Sequence, residues 1–472
     1  MPGADLADLG VAELAEGIRE RQFSSAEATA ACLARLKTIG PKLNAVAQID
    51  EAFALAQADA ADALLAAGRV PGPLHGVPMA HKDMMFREGR ISACGTRILA
   101  GTAAEETATV LERLDAAGAI EIARLNMVEF ALGPTGHNVI TGHVRNPWDT
   151  SRITGGSSSG SGASVAARLV PAALGSDTGG SIRLPASICG VVGIKQTYGR
   201  VSRAGAMPLC FSLDHVGPLA RSVRDAAMVL EAICGPDPRD PTTLDVPQPD
   251  LLTTLEEGVK GLRIAVPGDE AFADCDSEVM AAFHAAVETL KRAGAEILPG
   301  RLPDLDRANR LTTLVISVEG AAYHANWLRE RPQEYGAQTR ARLLPGLYQP
   351  AVRYLEALNL RGPLLAEFVE LGLNGADAFL MPTSPVPTPT IAETDVGGDA
   401  GAVQKVIAIA RYTRLGNFLG VPAISVPAGF DRRGMPIGLQ IMGRPLDEAL
   451  ICRVARAYER ETDWAGRRPN IA

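Results

Sequence analysis

An alternation restricts the fold of this chain more than any other feature. Between residues 74 and 235, the short apolar runs GVPMA, AIEIA, LVPAAL and VVGIK are separated by helix-like or glycine-rich pieces. Strands buried on both faces read as continuous apolar runs. A segment such as TATVLERLDAAG, just ahead of AIEIA, instead repeats its apolar residues at helical spacing. Strand and helix in turn predict an α/β layered domain. The same grammar returns in LRIAVPG, DSEVMAAFHAAVETLKRAG and AEILP. DAFLMPTSPVP, PAISVPAG and PIGLQIMG read as late strands, and LDEALICRVARAYERE as the closing helix. A helical stretch is expected over roughly 308 to 372.

The N-terminal part differs. Residues 5 to 68 read as helices: Ser24-Ser25-Ala26-Glu27 is a capping-box pattern, and EAFALAQADAADALLAAG is alanine-rich and stops at Gly68. Residues 235 to 256, rich in Pro, Asp and Thr, read as a surface excursion. With no internal repeat, residues 1–472 are expected to form one domain: a helical segment over 1–70, a core over 75–220, and the excursion.

Two glycine- and serine-rich stretches carry the chemistry, Thr154 to Gly162 (TGGSSSGSG) and Gly175 to Pro185 (GSDTGGSIRLP). Taken alone, the first is a flexible loop or a phosphate cradle, but it lacks the Gly-Lys-Ser/Thr ending of a nucleotide loop. The second is a tight turn after the apolar run Leu169 to Leu174. Lys82, in VPMAHKDM, reads as a surface lysine paired with Asp83, or, from its apolar flanks, as the end of a buried strand. Together they fit one machine. A serine hydroxyl needs a base before it is a nucleophile, and a buried lysine is neutral enough to serve. Successive backbone N–H groups at Thr178, Gly179 and Gly180 can hold an oxyanion, with glycines allowing close approach.

These stretches resemble the amidase signature family. The Gly/Ser-rich loop followed by Asp-x-Gly-Gly-Ser-Ile-Arg, the 24-residue separation of Ser157 and Ser181, and Lys82-Asp83 carry the resemblance. So do NMVEFALG, GHVRNPWD, GVVGIKQTYGRVSRAG and GVPAISVPAGFDRRGMPIGLQIMG. The resemblance implies an α/β/α sandwich around one large mixed sheet. It also implies a triad in which Ser181 attacks, Ser157 relays the proton through a cis peptide and Lys82 is the base, with no metal and no organic cofactor. Arg183 is expected to tie down the turn, on Asp177, with Ser158 as further support. Met84, Met127, Phe130 and Cys210 are candidates for an apolar substrate pocket, core packing being the rival reading of each.

Two activities compete: a hydrolase of small amides, esters or carbamates, and the glutamine-cleaving component of a tRNA-dependent amidotransferase. Leu184 replaces a glutamine typical of that component. The acid expected ahead of Asn-x-x-Gly-x-Pro, to hold an ammonium, is absent from AIARYTRLGNFLGVP. Only Arg340, Arg342, Arg411 and Arg414 offer charges nearby, so the hydrolase is the favoured expectation. The net charge of −8 weighs against non-specific nucleic-acid binding. Partners are thus expected to be a small amide, with no nucleic acid and no membrane, and a homodimer left open. Seven scattered cysteines without a Cys-x-x-Cys pair, and an acidic N-terminus, point to a reducing, cytoplasmic setting.

Overall fold

The computed structural model describes residues 5–397 and 400–471. Among them, eleven strands form one mixed sheet: β1 (Val46–Ile49), β2 (Pro78–Lys82), β3 (Ile120–Leu125), β4 (Ala172–Ser176), β5 (Val192–Lys195), β6 (Val216–Ala220), β7 (Arg263–Pro267), β8 (Glu296–Gly300), β9 (Ala378–Pro382), β10 (Ala423–Phe430) and β11 (Pro436–Met442). Their order is β1-β3-β2-β4-β6-β5-β10-β11-β9-β7-β8. β2 runs parallel to both β3 and β4, while β10 and β11 are antiparallel.

Side-chain alternation divides the core between the two faces of the sheet. Along β4, Ala172 and Leu174 join one cluster and Ala173 the other. The first cluster draws on the helices Val11–Arg19, Val223–Ile233, Ser277–Arg292 and Glu448–Arg460. The second draws on Ser25–Thr38, on Glu51–Ala66, and on α1 (Ser159–Ala166) and α2 (Arg183–Cys189). The result is a three-layer α/β/α sandwich. A separate helical wall, with α3 (Leu305–Glu330), α4 (Ala337–Leu343) and α5 (Arg414–Leu419), faces the turn that follows β4 across a cavity.

Two local readings need correction. The N-terminal helices are interrupted by β1, whose four residues are too few to show a period. The apolar run at Leu169 starts its strand only at Ala172, because Pro171 has no N–H for a central ladder. That shift carries the strand on to Ser176. Residues 235–256 form neither helix nor strand but are pinned down: Asp237 accepts from Ser202 Oγ, and Asp240 from Arg203.

The glycines of α1 have a packing reason. A Cβ on Gly160 would stand 2.4 Å from Ala45 O and 2.5 Å from Asn126 O, both backbone atoms with little room to give. Gly160→Ala should therefore destabilise the protein by about 1–3 kcal/mol. Urea unfolding of both proteins measures this, and an unchanged midpoint would refute the close packing.

Candidate active site

Lys82 and Ser176 are the last residues of β2 and β4. These neighbouring strands are parallel, with Ala80 opposite Ala173 and His81 opposite Leu174, so both chains leave the sheet at one edge. Ligands of open α/β sheets bind at that edge. Lys82 is fully buried, and its Nζ donates to Ser157 Oγ and to Ser176 Oγ, both at 2.7 Å. Its neighbour His81 faces the other side of the strand, where Nε2 lies 3.3 Å from Glu121. The Gly156–Ser157 peptide is cis. Ser158 joins the two serine-bearing loops: its Oγ donates to Ser176 O and accepts from Ser176 N, each at 3.1 Å, and its N–H donates to Ser181 O at 3.3 Å.

Burial is the largest influence on the Lys82 ammonium and disfavours it. The charges of Asp214 and Asp177 pull the other way, and the pKa is brought down to about 7. Asp83 plays no part in that balance. Its carboxylate turns away, accepting from Ala93 N at 3.0 Å and lying 3.8 Å from Arg124.

The turn between β4 and α2 is organised by one carboxylate. Asp177 accepts from Gly180 N at 2.7 Å, Ile182 N at 3.2 Å and Asn417 Nδ2 at 2.9 Å. Arg183 donates to it through Nε and Nη2, both at 3.0 Å. Arg183 also reaches Gln440 Oε1 at 2.5 Å and Asn417 Oδ1 at 2.7 Å. Both charged residues are 0% exposed. Burial works to raise the Asp177 pKa, but the Arg183 charge and its hydrogen bonds outweigh it and hold the carboxyl well below its usual range. Gly180 has φ +126°, and a Cβ there would meet Thr413 Oγ1 at 2.2 Å, so two independent constraints exclude a side chain.

This geometry corrects the expected oxyanion cradle in one place. The N–H of Gly180 is committed to Asp177. No described group accepts from the N–H groups of Thr178, Gly179 and Ser181, so these are the donors the turn leaves open.

Ser181, 9% exposed, borders a cavity of about 460 Å3. Thr178, Gly179 and Leu184 line its floor, while α3, α4 and α5 supply the opposite wall. None of the four pocket candidates lines this cavity, and all four belong to the buried core. Met127 is fully packed, and Phe130 stacks on Trp327. Met84 borders a second cavity beside Ser176 and Asp214. Cys210 Sγ lies 3.0 Å from Glu319, and burial pushes its thiol pKa far up. Of the four arginines considered, Arg342 and Arg414 line the Ser181 cavity; Arg411 is held by Asp274 and Asp306, and Arg340 by Pro332 O. Sequence reasoning missed Ser176, Asn417, Gln440 and Arg310. Asn417 and Gln440 do fall within motifs it quoted, Asn-x-x-Gly-x-Pro and GLQIMG. Among the described residues, no group of three or more His, Cys, Asp or Glu is placed to hold a metal ion, and no helix is long and apolar enough to cross a membrane.

The family model Amidase matches residues 27–452. A curated relative from Myxococcus xanthus (strain DK1622), named as the A component of the glutamyl-tRNA(Gln) amidotransferase, is 40% identical over 97% of this chain and 98% of its own length. Among solved structures, a vestigial protein complex described as revealing the evolutionary origins of an s-triazine catabolic enzyme superposes with TM-score 0.89. It is 36% identical and covers 96% of this chain and 98% of that one. A bacterial aryl acylamidase of the amidase signature enzymes gives TM-score 0.88 at 25% identity, covering 98% and 99%. The relative's name, which includes a tRNA, overturns the expectation that nucleic acid lies outside the picture. Net charge bears on non-specific adhesion to a polyanion; it is silent on a tRNA met at one patch or through another protein.

The Asp177–Arg183 pair generates a stability prediction. Asp177→Ala leaves a buried guanidinium without its counter-charge, which should cost about 3–5 kcal/mol. Denaturant titration reads this, and a loss below 1 kcal/mol would contradict the role given to the pair.

Proposed function

The chain belongs to the Amidase family, and from that premise we propose that it cleaves an amide C–N bond through an acyl-enzyme on Ser181. One observation carries the reading: a fully buried lysine with a lowered pKa, hydrogen-bonded at 2.7 Å to a serine, at the sheet edge where a second serine borders a cavity. In this reading neutral Lys82 takes a proton from Ser157 as Ser157 takes one from Ser181. Ser181 Oγ then attacks the amide carbonyl. Negative charge grows on the carbonyl oxygen and is met by the open N–H groups of the turn. The relay then returns the proton to the nitrogen, the amine departs, and water attacks the acyl-serine by the same route. Ser176 holds the other side of Lys82 Nζ and fixes its aim at Ser157.

The curated relatives support a setting: the amide-cleaving component of a tRNA-dependent amidotransferase, working with partner subunits. A free-standing hydrolase of a small amide is the second reading. One observation favours it: among the described residues no Asp or Glu lines the Ser181 cavity to hold the ammonium of glutamine, and Ala410 lines it ahead of the Asn417 motif. Seven free cysteines support a reducing, cytoplasmic location.

Ser181→Ala should lower turnover roughly 10⁴-fold or more with an unchanged melting curve, and a fluorophosphonate should label Ser181 in the parent protein. Labelling of a different serine, shown by peptide mass spectrometry, would refute the assignment.

The pH profile tests the base. Lys82 accepts a proton only when neutral, so kcat/KM should rise as pH passes about 7 and level off on the alkaline side. Lys82→Ala should remove that rise and harm amides more than activated esters, whose leaving groups depart without a proton. An unchanged profile in the variant would make Lys82 structural.

A further inference from the structure

The wall facing Ser181 is cationic, and among the described residues its arginines have no counter-charge. Arg310 of α3, Arg342 of α4 and Arg414 of α5 all line the cavity, and among the described residues no carboxylate does. Arg342 Nη1 donates to Leu132 O at 3.1 Å, and Arg414 Nη1 to Asn309 Oδ1 at 3.4 Å. Among the described residues, none of the three has a carboxylate within ion-pair distance. Arg411, only three residues before Arg414, holds two, Asp274 and Asp306.

Their placement is specific. The point where a Cβ would sit on Gly179 lies 3.5 Å from Arg414 Cγ, so the stem of Arg414 lies against the turn that ends in Ser181. The equivalent point on Gly133, across the cavity, lies 3.5 Å from Arg342 Nη1. Burial first, and the Arg342 charge second, bring the Arg414 pKa down to about 10. The two guanidinium groups thus repel each other across a cavity lined by no acid among the described residues. Arg310, Arg342 and Arg414 also border an outer chamber of about 700 Å3, which continues between Val403, Val406 and Ile407. They stand at the waist between the Ser181 cavity and that outer space, whose one described carboxylate, Asp306, is engaged by Arg411.

We propose that Arg342 and Arg414, with the exposed Arg310 beside them, form a carboxylate-binding subsite, and that the preferred substrate is an amide whose acyl part ends in a carboxylate with no ammonium beside it. The proposal rests on the reading of Ser181 as the amide-cleaving residue. A planar guanidinium accepts a carboxylate through two parallel hydrogen bonds. An α-ammonium in the Ser181 cavity would meet the same positive wall, with no acid among the described lining residues to receive it.

Three amides of equal chain length separate the possibilities: glutaramate, which is glutamine without its amino group; glutamine itself; and neutral pentanamide. Their kcat/KM values are measured with the full chain, and their binding to the Ser181→Ala protein is measured by calorimetry. Glutaramate should exceed pentanamide by roughly 100-fold and glutamine by at least about 10-fold. In Arg342→Gln and in Arg414→Gln, the glutaramate-to-pentanamide ratio should fall roughly 10-fold or more, mainly through KM. Arg342→Lys should recover part of the loss, which a folding defect would not. Equal use of the three amides, a preference for glutamine, or an unchanged ratio in both glutamine variants would overturn the subsite. Selective binding of glutaramate by a Ser181→Ala protein that still turns it over would keep the subsite and overturn Ser181. Labelled Ser181 with unselective binding would do the reverse.

Discussion

The ion pair between Asp177 and Arg183 holds together parts of the chain that share no local sequence. Its carboxylate organises the turn that presents Ser181, and its guanidinium reaches Asn417 on α5 and Gln440 on β11. A buried ion pair is weak evidence for net stability, because desolvation of both charges offsets their attraction. Here nearly every lone pair and N–H of the pair has a partner, so position is what it secures. Without it, the Gly179–Gly180 backbone has no side chain of its own to define a conformation.

A second balance sets the chemistry. Lys82 sits in a space dry enough to shed its proton near neutral pH, yet Asp214 and Asp177 are close enough to resist. Asp214 is itself engaged by Thr178 Oγ1 at 2.5 Å and by the N–H groups of Leu209 and Cys210 at 2.8 Å. The acids near the lysine are therefore held by the turn and by the loop before β6 and cannot swing toward Nζ. In the proposed mechanism, a base of tunable strength follows from fixing the acids as firmly as the lysine.

Much of the fold is legible in the sequence because strand and helix periods do not mimic one another over ten residues; β1 escapes because four residues carry no period. The sequence brings Lys82, Ser157 and Ser181 forward because Gly-Gly-Ser and a lysine between apolar flanks make poor sense as surface. The pocket wall is another matter. Met84, Met127, Phe130 and Cys210 have a composition that suits core and cavity equally, and only three-dimensional packing separates the two. Arg310 was hidden by a helical repeat in which any exposed arginine looks like a solvated face. Ser176 was hidden because it reads as the end of a strand, and its partner Lys82 is 94 residues away in sequence.

The residues proposed to act on the scissile bond come from positions 82 to 183, on the sheet edge and its turns, whereas most of the opposite wall comes from α3, α4 and α5, between positions 305 and 419. The two halves of the cavity are thus encoded in separate stretches of the gene. Exchange of α3 and α4 can redirect such a chain toward a new acyl group while the turn that carries Ser181 is left in place, whereas α5 has to be kept because its Asn417 binds the Asp177–Arg183 pair.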